Sequence, residues 1–325
     1  MKLLADINIK QLQPPITYTD KLLLTGSCFT EHIGNYLMDV KFNVLQNPNG
    51  ILFDPLSVCN SLVSYIHNKQ YTENDLFYLN ESWHSWHHHS RFSNPDKPEC
   101  LRLINASQTS AHDFIKEANW LIITLGSSFS YKLVNTSMHV ANCHKAPSQM
   151  FIKHLCTIEE TVTALDGTIH QLFHFNKALK IIFTISPVRH LRDGVVENNR
   201  SKARLIEAVH HLVNKFDKLY YFPSYELLID VLRDYRFYDI DLAHPNYAAT
   251  QFVLEKFSEY CFDDNAKKLS EEIKKIVIAS NHKPFNAQSH QHKQFLLTHL
   301  EKTTQLQQQY PFLDFNKELQ FFSAQ

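Results

Sequence analysis

Two short stretches carry the residue types for acyl-transfer chemistry. The first is Gly26-Ser27-Cys28, a hydroxyl beside a thiol after a single glycine. The second is Asp241-x-x-His244-Pro245, a carboxylate three residues before an imidazole. A thiol or hydroxyl needs a base to become a nucleophile. An imidazole base needs an acidic partner to hold its tautomer and stabilise its charged form. Cys28 or Ser27 could attack a carbonyl, His244 could take the proton, and Asp241 could orient His244. Taken alone, Cys28 also reads as an inert buried residue at a strand end, the common fate of a lone cysteine.

The surrounding elements must bring these stretches together. Leu22-Leu23-Leu24 reads as a buried strand running through Thr25 into a tight turn at Gly26. A helix follows, with Ile33, Tyr36 and Leu37 at helical spacing. The unpaired N–H groups and positive end of that helix favour a thiolate, which predicts a depressed thiol pKa at Cys28. Asn246 to Phe262 reads as the helix that leaves the second stretch. Trp120 to Leu125, Leu179 to Val188 and Leu219 to Phe222 read as further buried strands, with Phe42 to Leu45 as a short one. Helical patterns separate them, over 55–67, the later part of 94–118, 155–177 and 198–216. In the last, Leu205, Val209 and Leu212 belong to one apolar stripe. This alternation predicts a three-layer α/β/α sandwich with a mostly parallel sheet. Residues 1–20 are polar, contain Pro14-Pro15, and read as an edge segment or arm. Helical patterns over 263–281 and 289–309 read as an extension, giving an α/β domain over 1–262 and a C-terminal helical part over 263–325.

Composition narrows the function class. The chain of 325 residues has a net charge of −1 and a pI near 7.0. That leaves no electrostatic footprint for nucleic acid or an anionic membrane. The N-terminus lacks a long apolar core and meets Asp6 at once, and no apolar run spans a bilayer, so no signal peptide or membrane anchor is expected. The six cysteines are scattered without a Cys-x-x-Cys pair, and read as reduced thiols of a cytoplasmic protein. The stretch Trp83 to Phe92 is rich in histidine. Strand alternation would send His87 and His89 to one face and His88 to the other. No spaced cysteines or acidic residues of a zinc pattern accompany it. It reads as a pocket wall or interface, and no metal or other cofactor is expected.

Leu22 to Thr30 resembles the first block of the SGNH (GDSL-type) hydrolases, an apolar strand followed by Gly-Asp-Ser. It is more similar still to the GSCFA family, named for Gly-Ser-Cys-Phe-Ala, with Thr30 in place of the final Ala. In that register Gly26 falls on the family glycine, Ser27 on the Asp and Cys28 on the nucleophilic Ser. Asn47-Pro48-Asn49-Gly50 resembles the second block, although Asn49-Gly50 alone reads as a reverse turn. Leu125-Gly126-Ser127-Ser128 resembles the third, with Ser128 where those hydrolases carry an Asn. Asn142-Cys143-His144-Lys145-Ala146-Pro147 is similar to a GSCFA signature, and Asp241-x-x-His244-Pro245 resembles the fifth SGNH block.

The resemblance implies a flavodoxin-like strand order and a triad of Cys28 (or Ser27), His244 and Asp241 at the C-terminal edge of the sheet. It also implies oxyanion donors at Cys28, Gly50 and Ser128. Its activity would be that of an acyl ester hydrolase or acyltransferase, acting on an acylated carbohydrate or similar small ester. His144, Lys145, Arg189 and His190 fall on loops expected at the same edge, and read as groups binding a carboxylate, a phosphate or a polar acyl carbonyl. The other reading is a ligand-binding protein on a degenerate SGNH scaffold, with Lys145, Arg189 and His190 holding an anion and no turnover. The departure at Ser128 favours that reading, and the intact Asp241/His244 pair favours the enzyme.

Overall fold

The computed structural model describes residues 5–323. The first four residues of the expected arm and the last two of the expected extension lie outside them. In chain order, β1 (Lys21–Gly26) leads into α1 (Cys28–Asp39), β2 (Asn43–Gln46) and α2 (Pro55–Ile66). A hairpin of β3 (Phe77–Leu79) and β4 (Ser82–His84) precedes α3 (Lys97–Glu117) and β5 (Trp120–Leu125). Then come β6 (Phe129–Leu133), β7 (His139–Val140) and β8 (Phe151–Leu155), followed by α4 (Ile158–Phe175), β9 (Lys180–Ile185) and α5 (Val195–Lys215). The chain continues through β10 (Leu219–Tyr221), α6 (Ser224–Glu226), α7 (Tyr247–Cys261), α8 (Asp264–Ser280), α9 (His290–Gln309) and α10 (Asn316–Ser323).

Five strands form one sheet in the order β10-β9-β5-β1-β2, and every pairing in it is parallel. This is the flavodoxin-like order, in which ligands bind at the carboxyl ends of the strands near the point where the strand order reverses. Here that point lies between β1 and β5. Both faces of the sheet are covered, so β1 and β5 must be apolar on both. Leu22 and Leu24 of β1 join Trp120 and Ile122 of β5 in one core, shared with α1, α7 and α8. Leu23 joins Leu121 and Ile123 in the opposite core, with residues of α2, α4 and α5. Each fully buried leucine contributes about 1.5–3 kcal/mol of transfer free energy. That favours one register over a slip that would exchange the two faces.

Helix starts are fixed locally. Asp54 accepts the Ser57 N–H at 3.0 Å ahead of Pro55 at the first turn of α2. Asn246 Oδ1 accepts the Ala249 N–H at 3.1 Å and starts α7 beside the second chemical stretch. Leu296, Leu306, Phe315 and Phe322 of the C-terminal region sit in the same core as α1 and α8. No described helix is long and apolar enough to cross a membrane.

Two local expectations are corrected. Residues 85–92 do not continue as a strand. The hairpin closes at a Trp83–Asn94 bridge, with hydrogen bonds of 2.8 and 3.2 Å, and the residues between form a loop ending in a 3-10 turn. In place of alternating faces, His88 is buried with Nδ1 3.0 Å from Ser85 Oγ. The small antiparallel sheet β7-β6-β8 was not expected. Its strands are short and carry polar residues such as Ser130, Lys132 and Lys153, which mask a period-two pattern.

Candidate active site

β1 ends against β5 in a turn with no room for a side chain. Gly26 has φ +141°, and a Cβ there would lie 2.1 Å from the Thr124 carbonyl oxygen. Its N–H donates to Asn47 Oδ1 at 3.0 Å, and its carbonyl accepts the Leu52 N–H at 2.8 Å. Ser27 is the N-cap of α1, and its N–H donates to Thr124 O at 3.0 Å. The residue is 1% exposed and packs on Gly126, where an added Cβ would come 3.0 Å from Ser27 Cβ. Cys28, the first residue of α1, is partly exposed.

The first N–H groups of a helix have no carbonyl a turn back to bond. Those of Cys28 and Phe29 act to lower the Cys28 thiol pKa. The expected depression of the thiol pKa is nevertheless corrected. Burial pushes the thiol up, and the charge of Lys202 together with those N–H groups offsets only part of it. The helix terminus acts on a sulfur that is mostly out of water, so desolvation wins.

The second stretch is a tight turn with Leu242 at φ +55°. Asp241 Oδ1 accepts the N–H groups of Ala243 at 2.9 Å and His244 at 3.0 Å, and Oδ2 lies 2.6 Å from His244 Nδ1. These bonds, led by the His244 backbone N–H, hold the Asp241 carboxyl down to about 2. An ionised Asp241 assigns the proton to Nδ1 and leaves Nε2 as the basic nitrogen. Arg189 N–H donates to Ala243 O at 3.0 Å and ties this loop to the exit of β9. His32, one turn along α1 from Cys28, feels the charge of His244, and His190 feels both Lys202 and His244. A groove of about 420 Å³ runs beside α1 and this loop, lined by His32, Tyr36, Asp239, Pro245, Tyr247 and Leu254. Cys28 and the Asp241/His244 pair thus belong to one edge of the sheet. Among the described residues no hydrogen bond joins Cys28 Sγ to His244.

Two of the three expected oxyanion donors are engaged elsewhere. The Gly50 N–H donates to Asn47 O at 2.7 Å and closes its own turn. Glycine is required there because φ is +80° and a Cβ would lie 2.1 Å from His89 Cβ. Ser128 is fully buried. Its hydroxyl donates to Ser201 O at 3.1 Å and its N–H to Ser201 Oγ at 2.8 Å, so it braces the exit of β5 against α5. The N–H of Cys28 remains as the expected donor at the nucleophile itself.

The four expected basic groups divide. His144 is buried with Nε2 2.9 Å from Ser85 O, and its ring packs against His84 and Trp86. Burial pushes its pKa down to about 4. His190 packs edge-on to Phe53 at 5.6 Å, and burial pushes it down to about 4 as well. Both imidazoles are therefore neutral at pH 7, which corrects the expectation that they offer positive charge. The Arg189 guanidinium lies 4.5 Å from the centre of the Tyr238 ring. Lys145 is exposed, at φ +58°.

Sequence reasoning missed Lys202. The residue is 1% exposed, and Nζ donates to Gly126 O and Ser186 O, both at 2.6 Å. Those carbonyls lie at the exits of β5 and β9. Burial pushes the Lys202 pKa down to about 7, and Cys28 acts in the opposite sense. A signal was present, because Lys202 continues the stripe of Leu205, Val209 and Leu212 one turn back. Elsewhere, His154, Cys156 and Glu160 bring possible ligand atoms within 4.8 Å of one another. Glu160 already completes the capping box of α4 there and bonds His154 at 2.8 Å.

The fold is that of an α/β protein built on a five-stranded parallel sheet. The GSCFA family model matches residues 21–257, and the model of the GSCFA domain protein C-terminal domain matches residues 273–325. The chain belongs to the GSCFA family. No curated protein matches it. Among solved structures it is similar to an acetyl xylan esterase (Est2A) from the rumen bacterium Butyrivibrio proteoclasticus. The identity is 12% and the TM-score 0.34, over 75% of this chain and 64% of that one.

Proposed function

We propose that this chain hydrolyses or transfers the acyl group of a small ester, with Cys28 as nucleophile, His244 as base and Asp241 as its orienting acid. The observation that carries the reading is the 2.6 Å pair of His244 Nδ1 and Asp241 Oδ2 on the same sheet edge as a partly exposed cysteine at a helix start. Cys28 is preferred to Ser27 because the Ser27 side chain is buried against Gly126.

A raised thiol pKa means the thiolate is not preformed, so a base is needed at the moment of attack. His244 Nε2 takes the thiol proton as sulfur bonds the carbonyl carbon. The carbonyl oxygen becomes an oxyanion facing the Cys28 N–H. Collapse breaks the ester C–O bond. The departing alcohol takes the proton from His244 and leaves a thioester on Cys28. Water then attacks the thioester in a hydrolase, or an acceptor hydroxyl in an acyltransferase, with His244 again accepting the proton. An acylated carbohydrate is the substrate class proposed, with Lys145 and Arg189 as its polar contacts.

A second reading, a ligand-binding protein without turnover, is favoured by one observation. The Gly50 N–H and the Ser128 hydroxyl are both engaged within the protein. A panel of p-nitrophenyl esters and thioesters separates the two. Turnover by the wild type that falls about 10²–10⁴-fold in His244→Ala supports the enzyme. No turnover of any ester, or equal turnover in His244→Ala and Cys28→Ala, transfers the case to the binding protein.

A further inference from the structure

We propose that the groove between α1 and α7 is the subsite for the alcohol part of the ester, and that it takes an uncharged polyol such as a sugar. This rests on the reading of His244 as the group that hands the proton to the departing alcohol.

The chemistry sets a direction. In the proposed cycle the carbonyl oxygen turns towards the Cys28 N–H, and the alcohol oxygen must reach His244 Nε2 to collect its proton. The alcohol therefore leaves on the side of the histidine loop. The groove of about 420 Å³ adjoins that loop. Its wall includes Pro245, the residue after His244, and Asp239, whose N–H donates to His244 O at 2.8 Å. On α1 it is lined by His32, four residues after Cys28. That spacing puts two side chains on one helix face, with Cβ atoms about 5–6 Å apart. An acceptor alcohol in an acyltransferase would enter by the same path, since it attacks where the first alcohol left.

The lining selects the kind of alcohol. The volume suits a small molecule, whose sites span about 300–1,000 Å³. Thr250 lines the groove and is only 5% exposed. Its N–H donates to Asn246 O at 3.0 Å, but its hydroxyl makes no hydrogen bond to another described residue. Hydroxyls this buried are bonded as a rule, so its partner has to come from the groove. Asn35 Oδ1 accepts from Gln46 Nε2 at 2.9 Å, which leaves the Asn35 Nδ2 donors for the groove. The Asp39 and Asp239 carboxylates, which only accept, have no ion pair among the described residues. Tyr247, 79% exposed, offers the flat apolar face of its ring. A polyol matches this set, because each hydroxyl both donates and accepts and the ring carbons can lie on the tyrosine. A phosphorylated or uronic alcohol would meet two carboxylates with no lysine or arginine in the lining to offset them. A quaternary ammonium alcohol would suit the carboxylates but return no hydrogen bond from its charged end to Thr250 and Asn35.

Saturation-transfer NMR on the full chain reads binding without turnover. The probes are glucose, xylose, cellobiose and xylobiose, with glucuronate, glucose 6-phosphate and choline as charged controls. The expected result is transfer to at least one neutral sugar and to none of the charged probes. For that sugar, Tyr247→Ala and Thr250→Val should each raise Kd about tenfold. Tyr247 is exposed, so Tyr247→Ala keeps the test open if Thr250→Val does not fold. Binding of no sugar, binding unchanged in Tyr247→Ala, or preference for a charged probe overturns the proposal. Turnover of p-nitrophenyl esters by a chain that binds no sugar would sink this proposal and spare the catalytic reading. Sugar binding with the expected losses, in a chain that turns over no ester, would keep the groove as a sugar site and sink the catalytic reading.

Discussion

Ser27 is buried, whereas Asp241 and His244 are both exposed. The turn at β1 is set into the core. Its glycine touches β5, its N–H groups bond Asn47 and Thr124, and a buried lysine lies close by. The histidine loop is held by its own short-range bonds and by one main-chain link to Arg189. On the proposed reading, changes in the first region are expected to act on stability and chemistry together, and changes in the second on chemistry with the fold left in place.

The largest expected effect breaks the core side of this contrast. Gly26→Ala puts a Cβ 2.1 Å from a backbone oxygen at a positive φ, so neither partner can yield easily. We expect a loss of stability on the order of 3–5 kcal/mol by urea unfolding. A near-wild-type midpoint would show that the turn relaxes freely. Next, His244→Ala is expected to reduce ester turnover about 10²–10⁴-fold, with a thermal midpoint close to wild type. A large drop in that midpoint would make the loop part of the folding core and remove the contrast.

Two carboxylates sharpen the comparison through opposite pH dependence. Burial raises Asp54 to about 6, against hydrogen bonds from Ser57 that lower it. The native state then holds its proton more tightly than the unfolded chain. The contribution of Asp54 to stability is fully present below about pH 4 and is lost as pH rises through 6, by on the order of 2–3 kcal/mol. Urea unfolding at pH 4 and pH 7 should show this decline in the wild type and lose it in Asp54→Asn, where the side chain can still cap α2. Asp241 runs the other way. Its native value of about 2 gives stability that is present above about pH 4 and lost as pH falls towards 2. Being exposed, it should give the smallest effect, a slightly flatter acid limb in Asp241→Asn by thermal unfolding. An unchanged limb would mean the pair does not form in solution.

The strands were legible because Leu22 to Leu24 and Trp120 to Ile123 are continuous apolar runs that only a sheet covered on both faces can bury. Helix α7 was legible from Asn246 and the pattern after it. Hydrogen-bond ownership was not. Whether the Gly50 N–H faces a substrate or Asn47 depends on turn dihedrals that residue types do not encode. The charge of His144 and His190 was misread because protonation follows burial, and burial of a loop residue is decided by tertiary packing. Lys202 was overlooked because a lysine in an amphipathic helix is normally solvent-facing. Its place on the stripe of Leu205 and Val209 carried the contrary information.

The central claim is that the thiol of Cys28 carries the acyl group. Rapid quench of the enzyme with p-nitrophenyl acetate, followed by peptide mass spectrometry, tests it most directly. The account predicts one acetyl group on Cys28 in the wild type and in Ser27→Ala, and none in Cys28→Ala. An acetyl group on Ser27, retained in Cys28→Ala and lost in Ser27→Ala, would contradict it.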